Sequence, residues 1–160
     1  MPSKKNTKYL SLLVLFFTFS FAFAQNTSKF KVVLDAGHGG EDPGAIKNGI
    51  KEKDIVLDVV LKIGKILEKN NNIEVVYTRK TDIFIGLKER ANIANKAKAN
   101  LFISVHCNGV KSTAAKGTET FVMGMSRTDT NLDIAKKENG VIFLEKDYNE
   151  KYKGFDPNNP

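Results

Sequence analysis

The chain has two histidines, and each of them ends an apolar run that reads as a β-strand. His38 follows the strand pattern Val32 to Leu34 and lies among glycines, and His106 ends the run L-F-I-S-V-H. Imidazole binds metals and transfers protons near neutral pH. Either histidine alone is better explained as a structural residue, but two in matching positions favour a shared site. A nucleotide-binding loop is rejected because Asp42 stands where a dinucleotide fingerprint needs glycine, and no Gly-Lys-Ser/Thr follows.

Glu52 is the carboxylate that completes a candidate ligand set. It is predicted in or just before the first turn of an amphipathic helix. A negative charge there has a structural explanation, since it stabilises the helix N-terminus by about 0.3 to 1 kcal/mol. Asp54 is also available for that role, so the helix does not need Glu52. Two imidazoles and one carboxylate are a ligand set of catalytic zinc, which leaves a fourth position for water. Zinc lowers the pKa of that water towards about 7 and polarises a carbonyl, as amide hydrolysis requires. Spacing alone is a weak signal here, because the three residues are spread along the chain.

The elements that must position these residues alternate between strands and helices. A β-α-β unit within one sheet is right-handed and parallel, so its strands end at the same edge. The two histidines are therefore expected at one sheet edge. We predict a three-layer α/β/α fold with a mostly parallel sheet. The predicted strands are Lys31–Ala36, Ile73–Thr78, Leu101–His106 and Thr118–Met123, and the predicted helices are one from about Glu52 to Leu67, Leu87–Ala97 and Asn131–Leu144.

The last segment, Glu145 to Pro160, is charged, aromatic and proline-ended, and it does not read as a finished core element. We therefore expect residues 31–160 to form a domain that is truncated at the C-terminus. One sheet edge and part of the pocket would then be open to water, which would reduce stability and weaken a metal site.

Residues 1–24 read as a secretory signal peptide. Three lysines precede the apolar stretch Tyr9 to Phe23, and Ala22-Phe23-Ala24 fits the small-x-small cleavage rule. A membrane anchor is the competing interpretation, but the apolar stretch is shorter than the roughly 20 residues of a membrane span and includes hydroxyl residues. Residues 25–30 form a short polar leader. We expect export to the periplasm or the extracellular space without a stable membrane anchor.

Charge and cysteine content exclude other classes. Removing the signal lowers the formal net charge from +7 to +4, because residues 1–24 hold three lysines and no acid. This mild charge, without aromatic residues interleaved among Lys and Arg, argues against nucleic-acid binding. The single cysteine, Cys107, excludes an intramolecular disulfide. A buried position is favoured for it over metal ligation beside His106, since successive strand residues point to opposite faces.

Several motifs between about Lys31 and Met123 occur in the order of a known family. They are V-V-L-D-A-G-H-G-G-E-D-P-G, E-K-D, V-Y-T-R-K, L-K-E-R-A-N-I-A-N, L-F-I-S-V-H-C-N and G-T-E-T-F. In these the chain resembles the zinc-dependent N-acetylmuramoyl-L-alanine amidases of the amidase type 3 family, which are bacterial cell-wall hydrolases. The resemblance implies one Zn²⁺ ion held by His38, Glu52 and His106. It also implies that the substrate is peptidoglycan, cut between the lactyl group of N-acetylmuramic acid and the L-alanine of the stem peptide.

The chain departs from the family's pattern at two places. Cys107 stands where alanine is usual. The further glutamate that acts as general base in the family has no match, since Glu119 and Glu138 do not stand in its context; the base is expected beyond Pro160, and the catalytic residues are otherwise unknown. The alternative function is a catalytically impaired fragment or wall-binding module that keeps the metal site but lacks the general-base glutamate. The sequence identifies no protein activator.

Other polar residues have both structural and functional explanations. Arg79 and Arg90 match family positions, but an arginine tied to a carboxylate for structural reasons explains them as well. Asn108 could orient His106, and turn formation accounts for it equally. A metal-bound histidine usually donates its second ring N–H to an acceptor that fixes its tautomer. The candidates for that acceptor beside His38 are Asp35, Glu41 and Asp42.

Overall fold

The computed structural model describes residues 28–107, 114–122 and 129–156. Within these ranges, no helix has the length and apolar character needed to cross a membrane. The predicted signal peptide and Asn108 lie outside the described residues. The strands are β1 (Phe30–Ala36), β2 (Ile46–Lys47), β3 (Ile50–Lys51), β4 (Ile73–Tyr77) and β5 (Leu101–Val105). The helices are α1 (Glu52–Leu67), α2 (Leu87–Ala97), α3 (Asp129–Asn139), a 3₁₀ helix (Gly140–Leu144) and α4 (Tyr148–Lys151).

Strand β1 lies at the centre of a parallel sheet with the strand order β4-β1-β5. The chain runs from β1 through α1 to β4, and then through α2 back across β1 to β5. Because such crossovers are right-handed, this reversal of direction puts α1 and α2 on opposite faces of the sheet. The direction reverses beside the carboxyl ends of β1 and β5. In open α/β sheets, sites are built at such a point.

The two faces of β1 are packed differently. Its apolar face packs against α1, and the buried cluster comprises Val32, Leu34, Ala36, Val56 and Val60. On the other face, the carboxylate of Asp35 forms an ion pair with Arg90 of α2 at an N–O distance of 2.7 Å. Alternate strand residues point to opposite faces, so each face of β1 serves a different helix. The fold is the predicted three-layer α/β/α arrangement with a mostly parallel sheet.

A two-residue hairpin, β2 and β3, leads the chain into α1. Its turn residues Asn48 and Gly49 have φ values of 52° and 78°, and the strands pair in antiparallel register. Both positive φ values fit the tight turn that matches the twist of a hairpin. This hairpin was not predicted from the sequence, although Asn-Gly between two short runs is the usual signal of a hairpin. The hairpin brings Glu52 to the first position of α1.

Two predicted elements differ from the structure. The predicted strand Thr118–Met123 is wrong over residues 118–122, which form no strand. A period-two pattern favours a strand only where a neighbour pairs with it, and within the described residues β5 pairs with β1 alone. The predicted helix Asn131–Leu144 is split, since α3 ends at Asn139 and Gly140 begins a 3₁₀ helix. Glycine costs a helix about 1 kcal/mol relative to alanine, which favours a break there.

The segment after α3 packs against the start of α2 through a buried carboxylate. Glu145 is 6% exposed, and its Oε1 accepts hydrogen bonds from the backbone N–H of Leu87 and from the hydroxyl of Tyr152. A negative charge is favourable at a helix N-terminus, where backbone N–H groups lack partners. The described part of the segment from Glu145 onwards, which did not read as a finished core element, is therefore anchored to the domain.

Candidate metal centre

The turn after β1 is closed tightly and holds His38 in an uncommon backbone conformation. Gly39 and Asp42 exchange two backbone hydrogen bonds, of 2.9 and 3.1 Å. His38 has a φ of 59°, in the left-handed region that few residues other than glycine adopt. Such a conformation costs about 1 to 3 kcal/mol and persists only where the surroundings hold it.

Gly37 makes room for the second imidazole. His106 follows β5, which pairs with β1 up to Ala36 and Val105. A Cβ atom at position 37 would lie 2.5 Å from Nε2 of His106, well inside contact distance. The missing side chain at Gly37 thus allows the ring of His106 to approach His38. The two rings meet edge to face, with centroids 4.8 Å apart.

Glu52 is held by backbone donors on both of its carboxylate oxygens. Oε2 accepts a hydrogen bond from Ala45 N at 2.9 Å, and Oε1 accepts one from Cys107 N at 2.6 Å. The residue is 2% exposed and begins α1, as the sequence analysis expected. The donors fix the carboxylate between the two histidines, because one comes from the hairpin side and the other from the residue after His106.

The three sequence-predicted ligands come together with donor atoms at nearly equal separations. Nε2 of His38 lies 3.2 Å from Oε1 of Glu52 and 3.2 Å from Nδ1 of His106, and the last two atoms are 3.4 Å apart. Ligands on one tetrahedral zinc ion, at about 2.0 to 2.2 Å from the metal, stand about 3.3 to 3.6 Å apart. The spacing and the donor types therefore fit a zinc ion.

Asp42 is the acceptor that orients His38. Its Oδ2 lies 2.7 Å from Nδ1 of His38, so Nδ1 carries the proton and Nε2 is left to face the cluster. Of the other two candidates, Asp35 accepts hydrogen bonds from Thr78, Arg90 and Ser104 instead. Glu41 is exposed. The structure selects one of the three acids because the closed turn brings position 42 back beside position 38.

Glu138 of α3 also reaches the cluster, which the sequence analysis did not predict. Its Oε2 lies 2.9 Å from Nδ1 of His106 and 3.4 Å from Nε2 of His38. Among the described residues these two histidines, Glu52 and Glu138 form a group whose ligand atoms all lie within 4.8 Å of one another. These two distances are close to those that separate the ligands of one tetrahedral ion. No local signal in α3 distinguishes Glu138 from a solvated acid.

The charges of the cluster shift the pKa values of its members strongly. Burial lowers the pKa of His38, but hydrogen bonds to carboxylates, above all Asp42, outweigh burial and raise it to about 11. Burial also opposes the shift at His106, where Glu138 and Glu52 raise the pKa to about 9. Burial raises the pKa of both glutamates, yet the imidazoles bring the pKa of Glu138 down to about 2 and that of Glu52 well below its usual range. Without a metal, protons on the imidazoles balance the carboxylates.

The other candidate residues, Cys107, Arg79 and Arg90, make contacts around the cluster. Cys107 is partly buried and packs against the core cluster, while its backbone N–H supports Glu52. Arg90 forms an ion pair with the carboxylate of Asp35, which agrees with the structural role considered for it from the sequence. Arg79 instead donates to backbone carbonyls, among them those of Ala36 and Gly37.

The fold and the donor cluster define an α/β protein with a candidate zinc site at the carboxyl edge of its sheet. Residues 32–159 match the family described as N-acetylmuramoyl-L-alanine amidase, and the chain belongs to this family. It is 35% identical over 125 residues to a putative N-acetylmuramoyl-L-alanine amidase of Buchnera aphidicola, covering 78% of this chain and 58% of that protein. It is 53% identical over 90 residues to an endolysin of Bacillus phage SPP1, covering 56% of this chain and 32% of the endolysin.

Solved structures agree with the fold. The catalytic domain of CwlV, an amidase from Bacillus (Paenibacillus) polymyxa, has a TM-score of 0.51 at 44% identity, covering 53% of this chain and 49% of that domain. An N-acetylmuramoyl-L-alanine amidase from Clostridium difficile 630 has a TM-score of 0.52 at 30% identity, covering 73% of this chain and 64% of that chain. The chain spans about a third of the SPP1 endolysin and just over half of the Buchnera protein.

Proposed function

We propose that this chain hydrolyses the amide bond between N-acetylmuramic acid and L-alanine in peptidoglycan, using one zinc ion held by His38, Glu52 and His106. The observation that carries the proposal is the triangle of donor atoms, 3.2 to 3.4 Å on each side, in a member of the amidase family. A zinc ion bound there would lower the pKa of a water and polarise the substrate carbonyl.

The residues of the chain contribute orientation and charge to this reaction. Asp42 keeps a proton of His38 on Nδ1, so that Nε2 is the atom that would bind the ion. Two backbone N–H groups hold Glu52 as an anion. In the hydrolysis itself, a water oxygen bonds to the lactyl carbonyl carbon, the carbon–nitrogen bond breaks, and the alanine nitrogen takes up a proton.

The test is the release of stem peptides from purified sacculi, with metal content measured on the same samples. His38→Ala and His106→Ala are expected to lose both zinc and peptide release. Lys62→Ala is the matched control, since Lys62 is exposed and pairs only with the exposed Asp58 among the contacts described. A chelator should abolish release and added zinc should restore it. Full zinc occupancy in either histidine variant would refute the ligand assignment.

A second candidate function follows from the position of Glu138. With its carboxylate 2.9 Å from Nδ1 of His106, four protein donors surround the centre. Zinc sites with four protein ligands are structural, whereas catalytic sites keep one position for water. The chain in this arrangement would bind metal and peptidoglycan but hydrolyse slowly. The impaired form considered from the sequence would also keep the metal site, but it would be slow because the general base is missing.

Glu138→Ala distinguishes the two candidate functions. If Glu138 occupies the position of the water, the active state with water bound is populated to less than about 10%, and activity is reduced by the same factor. Removing Glu138 should then raise peptide release about tenfold or more. If Glu138 is instead the general base, removal should lower release by about 10²- to 10⁴-fold. Zinc binding is measured in parallel, because His38, Glu52 and His106 are expected to retain the ion in both cases.

We also propose that residues 1–24 are a signal peptide and that residues from 31 onwards belong to the catalytic domain. The order of a charged and then an apolar part in residues 1–24, and their Ala-x-Ala end, support cleavage after Ala24. Mass spectrometry of the exported protein decides this, and an N-terminus at Met1 would identify residues 1–24 as an anchor.

A further inference from the structure

Two buried arginines bind the backbone of the turn that carries His38. Arg79 is 2% exposed and donates from Nε to Ala36 O at 2.9 Å and from Nη2 to Gly37 O at 2.8 Å. Arg90 is 5% exposed and donates from Nη1 to Ala36 O and from Nη2 to His38 O, both at 2.8 Å. Three consecutive carbonyls, at positions 36, 37 and 38, thus each accept a guanidinium hydrogen bond.

Arg79 also connects this turn to the helix of Glu52. The same Nη2 atom that binds Gly37 O lies 2.9 Å from Lys53 O, in the residue next to Glu52. Every hydrogen bond described for Arg79 ends on a backbone carbonyl, so carboxylate pairing does not explain its burial. A charged donor makes stronger hydrogen bonds than a neutral one, and the guanidinium has a fixed planar geometry. Arg79 therefore sets the distance between the His38 turn and the start of α1.

Arg90 connects the turn to the strand of His106. Its Nη1 lies 2.7 Å from Oδ1 of Asp35, whose Oδ2 accepts a hydrogen bond of 2.6 Å from the hydroxyl of Ser104. Ser104 lies in β5, two residues before His106. The chain of contacts runs from His38 O through the guanidinium and the Asp35 carboxylate to β5. Each arginine thus links the first histidine to a different one of the other two ligands.

From these contacts we infer that Arg79 and Arg90 are positioning residues that preorganise the metal centre. The inference rests on the proposed metal site. The φ of 59° at His38 needs surroundings that hold it, and the three bonded carbonyls supply them. Lysine keeps the charge but has a single ammonium on a flexible stem, so it does not reproduce contacts that two or three guanidinium nitrogens make at once. Substitution by lysine therefore loosens the ligands without removing a charge.

The experiment compares Arg79→Lys and Arg90→Lys with Val60→Ala. Val60 is fully buried in the core cluster, two turns along α1 from Glu52, and its side chain is apolar, so its truncation lowers stability through a cavity. Three quantities are measured: the zinc dissociation constant by chelator competition, the visible absorption spectrum of the Co²⁺-loaded protein, and the urea midpoint of the metal-free protein. Co²⁺ serves as the probe because its spectrum reports ligand geometry.

Both lysine variants are expected to bind zinc about 10- to 100-fold more weakly, the usual effect of losing an outer contact to a metal ligand, and to show altered Co²⁺ spectra. Val60→Ala should lower the urea midpoint and leave affinity and spectrum unchanged. If both lysine variants keep the zinc affinity and the Co²⁺ spectrum of the wild type, as Val60→Ala is expected to do, the inference is overturned. The arginines would then be stabilising residues only. A wild-type chain that binds no zinc would refute the proposed metal site, and the inference with it.

Ser104→Ala provides the comparison if Arg90→Lys does not fold. It removes one hydroxyl from the Asp35 contacts and leaves both guanidinium groups in place. Weaker zinc binding with a nearly unchanged urea midpoint supports the link from Arg90 to β5. An unchanged affinity contradicts that link.

Discussion

At the scale of single residues, the metal centre depends on which atoms of the histidines carry protons. His38 presents Nε2 because Asp42 binds Nδ1, whereas His106 presents Nδ1. The pKa values of both imidazoles are raised, to about 11 and about 9, so protons compete with a metal ion for these nitrogens near neutral pH. A metal ion at this centre must displace those protons.

Zinc affinity should therefore rise with pH. Raising the pH removes the protons that compete with zinc, so the affinity is expected to increase by about 10- to 100-fold per pH unit below pH 9, for one or two protons displaced. Calorimetry at pH 7 in two buffers with different ionisation enthalpies measures the released protons directly. Equal heats in both buffers would contradict the expectation.

Gly37 is the residue at which a single methyl group should disturb the centre. Its Cβ would overlap the ring of His106, and forcing a group into a packed site costs about 1 to 3 kcal/mol. Gly37→Ala is thus expected to weaken zinc binding by about 5- to 150-fold, since 1.4 kcal/mol corresponds to a factor of ten. Gly64→Ala is the control, because it crowds Tyr77 of β4 rather than a ligand. Equal zinc affinity in both variants would show that the ring of His106 can move aside.

At the scale of elements, α1 connects the metal centre to the core. Glu52 at its first position is a ligand candidate, and Val56 and Val60 one and two turns later pack on β1. Its far end fits closely against β4, where the ring of Tyr77 occupies the space beside Gly64 and its hydroxyl donates to Glu68 at 2.9 Å. The helix can therefore be destabilised at one end without touching the ligand at the other.

Gly64→Ala should lower the free energy of unfolding by about 1 to 3 kcal/mol, because the new methyl group overlaps Tyr77. Urea denaturation of the metal-free protein measures the loss. In the double variant Gly64→Ala/Tyr77→Val the overlap is removed. Its free energy of unfolding should therefore fall by less than the sum of the losses in the two single variants. Additive losses would show that the helix shifts instead of clashing.

At the scale of the whole molecule, the proposed metal binding should be coupled to folding, because the candidate ligands come from three separate segments of the chain. His38 follows β1, Glu52 begins α1 and His106 follows β5. An unfolded chain cannot hold these donors 3.2 to 3.4 Å apart. Zinc should thus bind the folded state preferentially and stabilise it.

At a free zinc concentration about 100 times the dissociation constant, the stabilisation is expected to be about 2.7 kcal/mol. Thermal unfolding with zinc and with a chelator measures it as a rise in Tm. His38→Ala should show the same Tm in both conditions. A wild-type Tm that does not respond to zinc would contradict the coupling.

The sequence by itself determined the main strands and helices, from local patterns, and the candidate metal ligands, from residue type. The apolar runs of β1, β4 and β5 and the helical periodicity of α1 and α2 predict the layered fold, and right-handed crossovers place His38 and His106 at one edge. Residue type then nominates Glu52 as their partner. The predicted strand at Thr118–Met123 was wrong over its described part, because a strand needs a pairing neighbour that no local pattern supplies.

Only the tertiary structure decided the contacts between residues distant in sequence. Glu138 of α3 reaches the histidines from 32 residues beyond His106, and Arg79 and Arg90 bind the turn of His38 from 41 and 52 residues away along the chain. The choice of Asp42 over Asp35 depends on a turn only a few residues long, yet it too needed coordinates, since both acids are close to His38 in sequence. Hydrogen bonds require distances and angles within narrow limits, and a sequence gives separations along the chain but not those distances.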